Sequence, residues 1–564
     1  MKRKMNVIVS LVLALSSAIG LTACGGNKND EDPTKTYLDV GVFDAGLGTT
    51  YFDELKKDFE AYYANTSFEE GKTGVVLRAT KKSTEFNPTN LLNSITKYEP
   101  VLYILDHGDY DAFTQKDLFY DITDIMTEKY LDADGNIAAD TGKDATQSIE
   151  DTMYDGYETV FKKDGKYYAV PYTLTLPGII YDADLFGDEN LYFKADGSIG
   201  ASAEDVANGN CSAGPDKKLG TSDDGLPTTW ADFLTLLERI RTKNYTPFTW
   251  SADTQYQLSE LFNVFWANYE GYDNYMLNYS LNGTDSNLGE INESNFTELL
   301  KQEGRKAAIK AFYDISSNTA NYTKESRPGG GNSHTGAQQQ FIQSKKYGTR
   351  IAMTVESSYW EQEARSVFNK DSSYGKRNFK YMPIPNFVGV DGIEDQTNTV
   401  RILPATLAES YMCISAKSAN KKAEVQITVA KLFIKFAQSR TELVKYTKNT
   451  GCIRPYNYTA TAEEKAECTP YTQSILTFIE EGAKIAPSLS ISELRRKYTG
   501  ETGFFVSDNG FAFRVKNGTS TYMSPFRYFY DYNITNNGSK TVLDAYNDMI
   551  TYQTAILKEA GAIK

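Results

Sequence analysis

Two features of the sequence predict an α/β body in two lobes, its length and a strand–helix alternation near its start, and beyond the N-terminal stretch no segment comes near about 18 consecutive apolar residues. The chain has 564 residues, whereas single hydrophobic cores stop growing at about 250–300 residues, so at least two lobes are expected. Tyr37–Phe43 (YLDVGVF) is β-prone and is followed by the Gly-rich turn Asp44–Gly48. Tyr51, Phe52, Leu55, Phe59, Tyr62 and Tyr63 then recur at helical spacing. Val75–Ala79 predicts a second strand, Asn90–Thr96 a second helix and Val101–Leu105 a third strand. This order is that of a parallel sheet with crossover helices. Loops at the carboxyl ends of such strands line the ligand crevice, which places Asp44–Tyr51 and Asp106–Tyr110 at a candidate cleft.

Beyond this unit, Tyr167–Pro171 and Gly178–Tyr181 read as strands. Thr228–Arg241 carries Trp230, Phe233, Leu234, Leu237 and Ile240 at helical spacing, and Thr229 with Asp232 gives an N-terminal capping signal. Leu258–Asn268 is an aromatic-rich helix, and the glycines and proline of Ser326–Gly336 mark a loop. Arg350–Val355 and Tyr411–Ser415 read as strands, Lys422–Ala437 as an amphipathic helix and Thr541–Lys558 as a closing helix.

The N-terminus reads as an export signal. Lys2, Arg3 and Lys4 precede an apolar stretch, Val7–Ile19, too short to span a bilayer comfortably. Leu21-Thr22-Ala23-Cys24-Gly25 resembles a bacterial lipobox, which implies cleavage after residue 23 and diacylation of Cys24. Two acyl chains give stable anchoring. Residues 24–36 then form a polar, Gly- and Pro-containing tether.

Composition narrows the partners. Losing Lys2, Arg3 and Lys4 takes the formal charge from −15 to −18, which argues against nucleic acid and anionic headgroups. Cys211, Cys413, Cys452 and Cys468 are too few for a disulfide framework; Cys452 and Cys468 are close enough in sequence to pair, but nothing requires it. With only His107 and His334 and no CxxC, zinc chemistry is not expected. The 40 tyrosines and 29 phenylalanines suit either sugar stacking or core filling.

Several short motifs in order resemble the sugar-binding proteins of bacterial ABC importers, the maltose-binding-protein-like family. They are the Gly41–Phe59 strand, turn and helix; Val170-Pro171-Tyr172 through Tyr181-Asp182-Ala183-Asp184-Leu185-Phe186; Leu226-Pro227-Thr228-Thr229-Trp230-Ala231-Asp232-Phe233; Ile351–Trp360; and Ile414–Ser418 with the helix to Ala437. Ser358-Tyr359 stands where the family has Gly-Ser before its tryptophan. The resemblance implies a periplasmic-binding-protein type II-like fold with an interlobe cleft and no catalytic residues. It also implies a monomer that takes an oligosaccharide to ABC permease subunits at the outer face of the cell membrane. Lobe one is expected to hold residues 37–170 and 410–450, and lobe two 171–409 and 451–564.

On this reading Trp360 and Tyr172 stack on sugar rings, Trp250 and Tyr51 line the cleft, and Tyr528 and Tyr530, beside Phe526 and Phe529, supply a second platform. Trp230 and Trp266 lie on amphipathic helix faces and are expected in the core. Asp44, Asp106, His107, Asp109, Glu356 and Arg401 sit at strand ends or adjoining loops as polar partners for hydroxyls. No cofactor is required, but Asp216, Asp223 and Asp224 on the Gly-rich loop Gly214–Gly225 have the oxygen ligands for a structural Ca²⁺. A glycoside hydrolase would need two carboxylates at matched separation; carboxylates are plentiful, but no recognised hydrolase pattern occurs. Replacing Cys24 by serine is expected to abolish incorporation of labelled palmitate and move the chain from the membrane fraction to the supernatant; a variant that keeps the label would contradict the lipobox reading.

Overall fold

The structure, a computed structural model, describes residues 31–559 apart from 87–89, 98–99, 106–109, 111–113, 115–116, 130–146, 252–255, 281–282, 284–287, 346–349, 371–377, 406–409, 420–423, 489–511 and 518–519. Cys24, Asp106, His107 and Asp109 therefore lie outside the described residues.

The first sheet has five strands: β1 (Thr36–Phe43), β2 (Val75–Lys82), β3 (Leu102–Leu105), β4 (Ala169–Pro171) and β10 (Tyr411–Ile414). β1 lies between β2 and β3 and runs parallel to both, with Val40 opposite Ala79 and Gly41 opposite Tyr103. The expected alternation is thus the parallel half of this sheet. β10 then pairs antiparallel to β3 and to β4. A continuous apolar run suits a strand covered on both faces, and all four residues of β3 are buried. One cover is helix Thr50–Tyr62, whose Phe59 meets Phe433 of helix Glu424–Ala437 edge to face at 5.2 Å.

The second sheet is built from β5 (Gly178–Asp182), β6 (Thr246–Thr249), β7 (Ile351–Glu356) and β8 (Phe379–Met382), in the order β6-β7-β5-β8. Only β6 and β7 are parallel. Helix Trp230–Thr242 starts at the predicted capping box: Thr229 N–H donates to Asp232 Oδ2 at 2.9 Å, and Asp232 N–H to Thr229 Oγ1 at 3.2 Å. Trp230 is buried, stacks on Phe387 at 5.0 Å and donates its Nε1–H to Asp314 at 2.8 Å. Trp266 is likewise buried, with the Arg305 guanidinium 3.8 Å over its ring. The 512–557 stretch joins the same core through Phe513, Phe526, Phe529 and Met549. A further pair of strands, β9 (Ile402–Ala405) and β11 (Lys484–Pro487), runs parallel.

The two sheets are the centres of two α/β lobes, and the chain passes between them more than once. One crossing leads from Pro171 in β4 to Gly178 in β5. The 452–456 segment lies alongside it: Leu174 bridges Ile453, and Tyr456 Oη donates to the Pro171 carbonyl at 2.6 Å. Neighbouring crossings confine relative motion to a hinge. Cys211, Cys413, Cys452 and Cys468 are all buried and unpaired with one another. Trp230→Ala removes a stacked, hydrogen-bonded core ring, so a loss of about 3–5 kcal/mol in denaturant unfolding is expected; a loss under about 1 kcal/mol would show that this core is not tightly packed.

Candidate functional site

β7 carries the chain to the seam between the lobes. Its six residues are all buried and it ends at Glu356, after which a turn leads into the short helix Trp360–Glu363. Leu176 N–H, on the crossing segment, donates to Ser358 Oγ at 3.1 Å. Gln362 Nε2 donates to the Asn449 carbonyl at 2.5 Å. On the first lobe Gly48 faces the same stretch: a Cβ built there would stand 2.9 Å from Arg365 Nη1, and its φ of +69° is one that glycine tolerates best. The Asp44–Gly48 turn and the Ser357–Arg365 stretch therefore meet directly, with Asp44 exposed beside them.

A buried polar nest surrounds Glu356. Gln257 of helix Tyr256–Glu270 and Gln338 of helix His334–Gln343 hydrogen-bond its carboxyl group. Gln338 Nε2 also donates to Glu363 Oε2 at 2.8 Å, so one amide spans two carboxyl groups. Burial first, and then repulsion from Glu363, holds Glu356 well above the usual carboxylate range. Glu356 Oε1, Gln338 Oε1 and the Nε1–H of Trp360 are buried without a hydrogen-bond partner among the described residues. Each such atom costs about 1–3 kcal/mol, so three along one strand end and its adjoining helices mark a place where an external group has much to contribute.

The aromatic residues expected at the cleft are closed in. Trp360 is fully buried, with Phe379, Phe368 and Tyr471 edge-on at 5.4, 5.5 and 5.8 Å. Tyr172 is fully buried too, against Tyr51 at 5.7 Å and Tyr446 at 5.5 Å, and the Arg454 guanidinium lies 4.4 Å over both Tyr172 and Tyr446. Tyr51, Glu54, Lys445 and Asn449 line a small pocket beside that cluster. Neither Trp360 nor Tyr172 presents an open face in this conformation.

Other expected residues are engaged elsewhere. Trp250 donates its Nε1–H to the Ser326 carbonyl at 3.1 Å and packs against Tyr322 and Phe526. Tyr528 Oη donates to Asp548 at 2.6 Å, and the partly exposed Tyr530 leans on Phe526. These partners belong to the second core and not to the seam. Arg401, expected to meet ligand hydroxyls, instead pairs with the fully buried Asp223 at 3.0 Å and with Glu481 at 3.4 Å, because a buried carboxylate needs a cation beside it. Asp223 also takes the Asp216 N–H, Asp216 takes the Lys218 N–H, and Asp224 takes the Gly220 N–H at 2.7 Å. The loop's carboxylates thus hold the loop itself together, and among the described residues no group of three or more His, Cys, Asp or Glu is placed to hold a metal ion.

With this geometry in view, the sequence profile described as bacterial extracellular solute-binding protein matches residues 45–442. The chain belongs to that family. Among solved structures, apo RafE from Streptococcus pneumoniae superposes with a TM-score of 0.52 at 14% identity, covering 93% of this chain and 99% of that one. Maltose-bound MalE3 of T. maritima gives 0.51 at 12%, covering 93% of this chain and 100% of that one. The cyclic α-maltosyl-1,6-maltose binding protein of Arthrobacter globiformis gives 0.50 at 12% over the same shares. At such identities the likeness is one of fold: two α/β lobes with a cleft between them. A search of curated proteins finds no match. Solute-binding proteins of this family are binding proteins, and among the described residues no helix is long and apolar enough to cross a membrane.

In this solute-binding protein, sequence reasoning singled out Glu356 and Trp360 but missed Gln257, Gln338 and Glu363. These three sit on two longer helices and a short one, and polar residues on helices ordinarily read as solvent-facing. The one available signal was the serine cap at Ser333 after the Gly-rich loop, which starts the helix carrying Gln338. Glu361, next to Trp360, is pushed up to about 7 by burial, against the opposing hydrogen bond from Thr469. A carboxyl group whose folded value is raised stays protonated while the unfolded chain ionises, so stability is lost as pH rises from about 4.5 to 7. Glu361→Gln is expected to remove of the order of 1–3 kcal/mol of that decline, read as a flatter melting-temperature profile between pH 5 and 8; an unchanged profile would contradict the shift.

Proposed function

We propose that this protein is a lipid-anchored sugar-binding protein that captures an oligosaccharide at the interlobe seam and presents it to the permease subunits of an ABC importer. The observation that carries the reading is the buried nest at the end of β7, where hydrogen-bonding atoms of Glu356, Gln338 and Trp360 stand unpaired and the Trp360 ring packs against Phe379 and Tyr471. Hydroxyl-rich ligands both donate and accept, so one bound molecule can pair such mixed atoms, and ring faces can cover its apolar side. The fold neighbours include RafE in complex with raffinose and maltose-bound MalE3, which supports a saccharide as the ligand class.

Lobe one comprises residues 37–170 with 410–450, and lobe two 171–409 with 451–564. The approach of Arg365 to Gly48 supports reading the described conformation as closed. Hinge opening at the 171–178 and 452–456 crossings parts Gly48 from Arg365 and Gln362 from Asn449, and ligand contacts made by both lobes return the population to the closed form. The protein acts as a monomer, needs no cofactor for capture and is held through Cys24 at the outer face of the cell membrane.

Titration with a panel of oligosaccharides, followed by tryptophan fluorescence, tests this. A saturable change without release of reducing ends is expected, and Trp360→Ala is expected to weaken binding at least tenfold. Release of reducing ends, or a Trp360→Ala variant with undiminished affinity, would overturn the reading.

A further inference from the structure

The lobes also meet at the C-terminal end of helix Arg440–Thr450. The 357–365 stretch of the second lobe abuts that end: Gln362 donates to the Asn449 carbonyl, and the adjacent Glu361 sets its carboxyl group beside it. A Cβ built on Gly451, the left-handed residue that closes the helix, would stand 3.2 Å from Glu361 Oε2. A helix presents the negative end of its dipole and its last carbonyls at this point, so an ionised carboxylate is disfavoured there and a protonated carboxyl is not. The Thr469 hydroxyl donates to Glu361 Oε2 at 2.6 Å and favours the ionised form, but burial outweighs it.

No cation pairs with Glu361 among the described residues. The 468–480 segment brings the Cys468 thiol and the Tyr471 phenol, both kept neutral below pH 8 by burial. On helix Arg440–Thr450, Lys448 turns to Glu467, and Lys445 to Asp58 and Glu442. On its own stretch Glu363 takes the Gln338 amide and Arg365 faces Gly48. Glu356 holds its proton too, but Gln257, Gln338 and Glu363, which act on it, belong to the second lobe and move with it.

Resting on the reading of the seam as the place where the lobes close on a saccharide, we infer that Glu361 is a proton-operated latch. The closed form holds it protonated against the end of helix Arg440–Thr450, and loss of that proton favours the open form, so capture is tighter in acid than in mildly alkaline surroundings. Parting the lobes takes the carboxyl group from the helix end and gives it water, so its proton is held less tightly in the open form. A proton held more tightly in the closed form stabilises that form at low pH, and the advantage fades as pH rises from the ordinary carboxylate range to about 7. Above that both forms are ionised and the balance levels off.

The test uses the full chain in detergent, without saccharide, carrying nitroxide labels at Lys57→Cys and Glu238→Cys, exposed positions on the first and second lobes. Pulsed dipolar spectroscopy reads the interlobe distances from pH 5 to 8. The ratio of closed to open form is expected to fall by about tenfold or more in the wild type and to stay high throughout in Glu361→Gln. Should that variant not fold, Glu361→Ala, which cannot ionise either, is expected to give a ratio independent of pH. A wild-type ratio that does not change with pH, or a Glu361→Gln ratio that still does, overturns the latch. A panel of oligosaccharides titrated into the wild type at pH 5 and 8 keeps the two readings apart. Binding of none overturns the saccharide reading, and the latch then stands or falls on the distances; an affinity that does not weaken while the lobes open contradicts the link to capture.

Discussion

A carboxyl group buried without a full set of partners is the constraint around which the seam is organised. Glu356 ends an inner strand of the second sheet, opposite Gly178, and is buried there. Two glutamine amides reach it, yet Oε1 stays unpaired. Removing an ionised carboxylate from water without a cation is among the costliest steps in a fold, so the group holds its proton instead. The helices carrying Gln257 and Gln338 and the Trp360 turn all adjoin this strand end.

That cover is shared between the lobes, which links packing to motion. Trp360, Phe379 and Tyr471 close over one side of the turn, while Tyr172, Tyr51 and Tyr446 form a separate cluster beneath Arg454. Ser358 ties the turn to the crossing segment, and Gln362 ties it to Asn449 of the first lobe. A ligand that binds the closed form better shifts the population toward it by as much as its differential affinity allows.

Much of the architecture was legible in the sequence because it rests on local periodicity. The β1–β2–β3 unit, the Thr229 cap, the helix ending at Ala437 and the core positions of Trp230 and Trp266 follow from spacing and from end signals that act within a few residues. The site was legible only in part. Glu356 could be named because it borders a strand end, and Trp360 because the resemblance places a matching tryptophan at the cleft, whereas Gln257 and Gln338 come from helices about a hundred and about twenty residues earlier, a juxtaposition that only the tertiary fold creates. Trp250 and Arg401 point to the same limit. Both lie near strand ends, but their partners Ser326 and Asp223 are distant in sequence and draw them into structural roles.

The central claim is that the Glu356 nest is the surface a ligand completes. A crystal structure of the protein with a saccharide identified by titration tests it most directly. The account predicts ligand hydroxyl groups at about 3 Å from Glu356 Oε1 and Gln338 Oε1, with Trp360 or Tyr172 against a sugar ring. A bound saccharide elsewhere on the molecule, with the nest closed and unchanged, would contradict it.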